Sequence, residues 1–178
     1  MSTCYNTFVR LYLTKNYLTV PNPRYPLRIN VGFLLNQPVG TSRDIHFGYT
    51  DVRLTMDFEV RKLEGVARLN RTPQGLLVVA DFSAYQMDEC VRCLEPFELE
   101  LHTQYQELFS FQFHPATEPS LVIPEDGNID LASLTRDYLL LEKPIKPLCK
   151  PECKGLCTVC GEDLNVHTCA HQSQVVVK

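Results

Sequence analysis

Cysteine spacing constrains this chain more than any other feature of its 178 residues. Seven of the eight cysteines fall in four short segments. These are Cys90-Val-Arg-Cys93, Cys149-x3-Cys153, Cys157-Thr-Val-Cys160-Gly161 and Cys169-Ala-His171. Two thiolates about one tight turn apart can converge on a single tetrahedral ion. A glycine after the second cysteine lets the backbone turn with positive φ and present amides to the sulfurs. Gly161 meets that requirement after Cys160; Leu94, after Cys93, does not. Seven cysteines and one histidine make eight ligands, which divide into two closed four-ligand sites. Closed sites are structural, whereas a catalytic zinc keeps one position open.

The preferred grouping joins Cys90 and Cys93 to Cys149 and Cys153, bolting the tail to the rest of the molecule. The second site is then Cys157, Cys160, Cys169 and His171, and it would fold a tail with too little apolar mass to fold alone. Spacing does not choose between this and an alternative. Cys149 or Cys153 could join the second site and leave Cys90 and Cys93 as a free dithiol. His167 competes with His171 as a ligand. Cys4 stands apart and is expected to be a free thiol. One or two Zn2+ ions are the expected cofactor.

The compartment supports metal over disulfides. Met1–Val20 lacks the continuous apolar segment of a secretory signal, because Arg10, Lys15 and polar residues interrupt it. No apolar run approaches the ~20 residues of a membrane-spanning helix. A cytoplasmic location is therefore expected, where such cysteine pairs more often bind metal.

Charge is uneven. Residues 1–56 carry six Lys and Arg against two Asp and Glu, residues 57–142 six against sixteen, and residues 143–178 five against three. The acidic middle would repel a duplex and suit a basic protein, or it is simply a solvated surface. Seven thiolates holding two Zn2+ would lower the net charge from −4 to about −7. Lys143, Lys146, Lys150 and Lys154 then compensate the thiolates, or they contact RNA phosphates.

The remaining chain reads as α+β, mainly β: an antiparallel meander with one short helix and a C-terminal zinc-binding module. Residues 1–26, with Pro21, Pro23 and Pro26, are expected to be an irregular extension, even one lying upstream of the natural start codon. Residues 27–148 form the β-rich domain, and 149–178 a cysteine-rich tail packed on it. Ile29–Leu35 is strand-like. Residues 51–69 alternate loosely through Val52, Leu54, Met56, Phe58, Val60, Val66 and Leu69. After a turn at Thr72-Pro73-Gln74-Gly75, the residues Leu76, Val78, Ala80, Phe82 and Ala84 share one strand face. Phe97, Leu99, Leu101, Tyr105, Phe109, Phe111 and Phe113 mark a long strand by their period of two. His114–Asn128 is a loop. A helix is expected over Asp130–Glu142, capped by Asp130 or Asn128, striped by Leu131, Leu134, Tyr138 and Leu141, and ended by Pro144. No internal repeat stands out.

No enzyme is expected. There is no Gly-rich phosphate loop or nucleophile elbow, and His46, His102 and His114 sit in polar or wet positions. No catalytic residue, organic cofactor or small-molecule substrate is expected.

Taken in order, the motifs resemble a known family. They are Cys90-x-Arg-Cys-Leu-Glu-Pro-Phe97, Ile129-Asp-Leu-x-x-Leu134 and Pro144-x-Lys-Pro-Leu-Cys-x3-Cys-Lys-Gly-Leu-Cys-x2-Cys-Gly-x2-Leu-Asn165. This pattern, over roughly Leu27 to His171, resembles the YceD family of large ribosomal RNA subunit accumulation proteins. The resemblance implies a non-enzymatic factor for 23S ribosomal RNA accumulation or processing and large-subunit biogenesis. Its partner would be ribosomal RNA or a basic large-subunit ribosomal protein. Some family members keep only the equivalents of Cys90, Cys93, Cys149 and Cys153, which favours grouping those four. Many end the module in Cys-x-Cys, where this chain has Cys169-Ala-His171. The alternative is a redox-controlled zinc protein using its thiols as a switch; rapid zinc release by mild peroxide would distinguish it. A dithiol oxidoreductase using Cys90 and Cys93 fits less well, because the pair lies between strands and not at a helix start.

Overall fold

Alternating apolar residues over residues 42–110 pair into a four-stranded antiparallel meander, in the order β2-β3-β4-β5. The computed structural model describes residues 25–112 and 121–171. Its sheet strands are β2 (Ser42–Thr55), β3 (Phe58–Arg71), β4 (Gly75–Glu89) and β5 (Pro96–Ser110). A short β1 (Arg28–Asn30) pairs with β6 (Asn128–Asp130), and single-turn α1 (Gly32–Leu35) and longer α2 (Ala132–Glu142) complete the elements. The fold is therefore α+β and mainly β, as the periodicity predicts.

Leu76, Val78, Ala80, Phe82 and Ala84 of β4 are all buried, as are Leu101, Thr103, Tyr105 and Phe109 of β5. Period two puts one row against the core and leaves the other wet. α2 packs on that buried face and reaches both outermost strands, β5 and β2. The β1–β6 ribbon joins the same core through Leu27, Ile29 and Ile129.

Four details depart from the sequence reading. The loose alternation over residues 51–69 is two strands, joined by a tight turn at Met56-Asp57. Within β3 the inward phase switches from Phe58 and Val60 to Leu63, Ala67 and Leu69. A bulge causes the switch: the register against β4 slips between Arg61 and Glu64, and Lys62 takes φ 48°. Ile29–Leu35 is not one strand but β1 followed by α1. Of the expected α2 stripe, Leu131 is buried and Leu134 and Tyr138 pack half-buried against the core, but Leu141 is 78% exposed, and the buried helix positions are Ala132, Thr135 and Leu139. Thr135 is accommodated in the core because its hydroxyl lies 2.8 Å from that of buried Tyr105. Tyr138 stacks on Tyr105 and donates to Glu107 at 2.6 Å.

The helix begins two residues later than expected, and Asp130 Oδ1 accepts from the Ala132 amide at 2.9 Å. It stops at Glu142, since Lys143 precedes Pro144 and is extended. Cys4, Phe113, His114 and the expected irregularity of residues 1–24 lie outside the described residues.

Candidate metal centres

The β4–β5 hairpin places the first cysteine pair. Register runs unbroken to Glu89↔Pro96, so residues 90–95 form the hairpin tip. There the Cys90 amide donates to Glu95 O at 3.0 Å and the Leu94 amide to Cys90 O at 2.9 Å. Cys149 and Cys153 come to this tip after α2. The Val91 amide donates to Pro147 O at 3.0 Å, and the Leu156 amide to Arg92 O at 2.9 Å. Arg92 adds a 2.7 Å side-chain bond to Cys153 O. Gly155, at φ 75°, lies so close to Arg92 that a β-carbon would stand 2.8 Å from its carbonyl oxygen.

The result is a four-sulfur cluster of Cys90, Cys93, Cys149 and Cys153, with all ligand atoms within 4.8 Å of one another. Cys90 and Cys153 sulfurs are 3.8 Å apart, and those of Cys93 and Cys149 3.7 Å. A disulfide would need ~2.05 Å. A tetrahedron with Zn–S bonds of ~2.3 Å has edges of about 3.8 Å. The spacing therefore fits a four-thiolate ion and not a covalent bridge.

The second cluster gathers Cys157, Cys160, Cys169 and His171, again within 4.8 Å. His171 is the histidine brought to the sulfurs, and its Nδ1 is buried without a hydrogen-bond partner among the described residues. A buried imidazole nitrogen left so is one that a ligand would satisfy. His167 lies in the preceding loop, where its amide donates to Asp163 O. Among the described residues the geometry thus brings together Cys90, Cys93, Cys149 and Cys153 in one set and Cys157, Cys160, Cys169 and His171 in the other, with His167 in neither.

The two cysteine turns share one backbone plan. In the second, the Cys157 amide donates to Glu162 O and the Gly161 amide to Cys157 O, both at 2.8 Å. This repeats the bonds of Cys90, Leu94 and Glu95, residue for residue. Leu94 stands where Gly161 stands, and it takes the same left-handed conformation, φ 60° against 75°. The sequence hides this repeat, because leucine does not advertise a positive φ.

Electrostatics split the thiols. Burial opposes ionisation of Cys90, yet the backbone amides of Cys149, Cys93 and Arg92 hold its pKa down to about 6. Backbone amides of Cys160 and Val159 do the same for Cys157, also to about 6. Burial and crowding by neighbouring sulfurs push Cys149 up to about 12. Cys169 is raised as well: the His171 amide favours its thiolate, but burial and the sulfurs of Cys157 and Cys160 outweigh it. Thiols this close cannot all ionise alone; a dication would remove the conflict.

The clusters differ in access. Cys90, Cys93 and Cys153 are buried and Cys149 half-buried, whereas Cys160 is exposed. Around them, Lys146, Lys150 and Lys154 are exposed, and Lys143 pairs with Asp88 at 3.1 Å. His46 and His102 lie exposed on the outer sheet face, as expected, with His102 Nε2 3.1 Å from Asp81. One residue the cysteine arithmetic passed over also belongs here. Asn165 touches the first cluster from the loop of the second, and its signal lay in its place at the end of the Cys157-x2-Cys160-Gly-x2-Leu-Asn165 motif.

Residues 79–177 match the family described as large ribosomal RNA subunit accumulation protein YceD. An uncharacterized protein of Mycobacterium tuberculosis is 34% identical over 102 residues, 54% of this chain and 49% of its own length. One from Mycobacterium leprae is 30% identical over 103 residues, 56% and 48% of the two chains. A maize protein named large ribosomal RNA subunit accumulation protein YCED homolog 1, chloroplastic, is 45% identical over 40 residues, 22% of this chain and 14% of that one. The chain spans about half the length of the mycobacterial relatives it matches. No solved structure matches it.

Proposed function

This chain belongs to the YceD family, and from that membership we propose that it is a non-enzymatic factor for 23S ribosomal RNA accumulation and processing and for large-subunit biogenesis. The observation that carries the reading is where the match falls. Residues 79–177 begin on β4 just before the first cysteine turn and take in all eight clustered ligands. The match thus takes in most of the β4–β5 hairpin, α2 and both cysteine clusters.

Zinc suits the donor set. Four thiolates in one cluster, and three with an imidazole in the other, are the ligand sets of closed structural sites. Zinc bound there would supply cross-links and no reactive position. The chain's own residues do the rest: amides aimed at Cys90 and Cys157 favour their thiolates, and Arg92 ties the tail to the hairpin.

The module would then present Lys146, Lys150 and Lys154 as exposed cations beside anionic clusters. These are the contacts offered to ribosomal RNA. The outer sheet face carries Glu64, Glu89 and Glu100 and would suit a basic large-subunit ribosomal protein. The same reading sets the protein in the cytoplasm; among the described residues no helix is long and apolar enough to cross a membrane.

Depletion of the protein in its own host tests the proposal. Sucrose gradients should show fewer 50S subunits, and RNA blots should show less mature 23S RNA, with 16S RNA unchanged. Normal 23S RNA and 50S levels under full depletion would overturn it.

A further inference from the structure

We propose that Asn165 couples the two metal clusters, so that the buried Cys90 cluster holds its ion firmly only while the second cluster is assembled. The inference rests on the metal-binding reading above and concerns a residue that is not a ligand. Asn165 rides on the loop between Cys160 and Cys169, within the second cluster's segment. Its side chain nevertheless reaches the first cluster: Nδ2 donates to Cys153 Sγ at 3.5 Å. Oδ1 accepts from the Lys154 amide at 2.8 Å. That bond fixes the orientation of the carboxamide, because a backbone N–H can only donate.

The second Nδ2 hydrogen goes to Asp163 Oδ1 at 2.7 Å, and the same oxygen accepts from the Asn165 amide at 2.9 Å. Both hydrogens of the side chain are thus committed, one towards each loop. The loop itself is seated by the Leu164 amide donating to Gly155 O at 2.9 Å. It is closed by the antiparallel bridge of Leu156 with Asp163.

The consequence is mechanical and electrostatic. A hydrogen bond to a metal-bound thiolate spreads its charge and fixes the direction of its lone pairs, and such partners of ligands typically set metal affinity by ~10–100-fold. Here the donor's position depends on a loop whose ends are Cys160 and Cys169. Losing the second ion frees that loop, withdraws the donor from Cys153 and loosens the Lys154 backbone beside it. Asn is the side chain that serves: aspartate would set a carboxylate against both the thiolate and Asp163, and alanine would make neither bond.

Cobalt substitution and chelator challenge of the full chain test this. Ligand-field bands of Co2+ separate a four-sulfur site from a three-sulfur, one-nitrogen site, so loss from each cluster is followed independently. Asn165→Ala should speed release from the four-sulfur site by 10-fold or more. Asn165→Ser should do so to a lesser degree and serves if the alanine variant folds poorly. Val166→Ala, at a neighbouring exposed position, should change nothing. His171→Ala, which opens the second site, should speed release from the first by 10-fold or more with Asn165 present and by less than about 3-fold in Asn165→Ala. First-site release within about 2-fold of the parent in both Asn165 variants would overturn the coupling. So would an equal effect of His171→Ala in both backgrounds. A parent protein that takes up no metal would overturn the metal reading itself, and the coupling with it.

Discussion

Leu94 holds a conformation that suits glycine. Its φ of 60° places the β-carbon against its own backbone, at a cost of roughly 1 kcal/mol. Its side chain is 55% exposed and recovers little of that by burial. Leu94→Gly should therefore raise stability, by up to about 1 kcal/mol, in urea unfolding of the metal-loaded protein. A loss of stability would mean that leucine is kept for its contacts. The same residue shows what the sequence withheld. Gly161 signals its own turn, and six of the eight clustered residues stand out from Cys-x2-Cys and Cys-x3-Cys spacing, whereas spacing leaves His167 and His171 open. The equivalence of the two turns was not legible, because it lives in backbone bonds that any side chain can accompany. The partition of eight ligands into two sets was also beyond spacing: Cys153 and Cys157 are as close in sequence as Cys149 and Cys153, and only the hairpin tip decides.

At the scale of elements, β4 and β5 carry the first cluster, and their pairing runs from Gly75↔Ser110 to Glu89↔Pro96 without a break. Gly75 starts that ladder. Its φ is not positive, so the turn does not demand glycine there; a β-carbon would lie 1.9 Å from the Phe109 carbonyl oxygen, and that does. The neighbour is backbone and cannot swing aside. Gly75→Ala should cost about 3 kcal/mol or more and lower the denaturation midpoint accordingly. A change below about 1 kcal/mol would show that the strands separate easily at this end. These two strands were readable from sequence because neither contains a bulge, so Leu76–Ala84 and Leu99–Phe109 keep one phase. β3 was blurred by Lys62, after which every inward position moves by one. The β2–β3 turn at Met56-Asp57 has neither glycine nor proline and gave no signal. The stripe of α2 was legible through Leu131, Leu134 and Tyr138 but failed at its end, where Leu141 faces water, and it missed Thr135, a hydrogen-bonded threonine in the core.

Across the whole molecule, stability is divided unequally. The sheet, α2 and the β1–β6 ribbon share one apolar core. From residue 149 to 171 the buried residues are Cys153, Gly155 and Cys157, so that segment has almost no core beyond its ligands. Metal removal should therefore separate the two regions. After chelation, hydrogen exchange over residues 149–171 should approach that of an unfolded chain, while amides of residues 76–85 and 99–109 stay protected. Protection of the tail unchanged by complete chelation would show that packing alone holds it.

The first cluster joins Cys93 to Cys149 across 56 positions of sequence. Synthesis at ~5–20 residues per second leaves about 3 to 11 s between the appearance of the early thiols and that of their partners. For those seconds each newborn polypeptide carries an open sulfur pair that still lacks its partners. Freshly translated copies are thus the ones an oxidant would strike, and finished copies, with the same sulfurs enclosed, are spared.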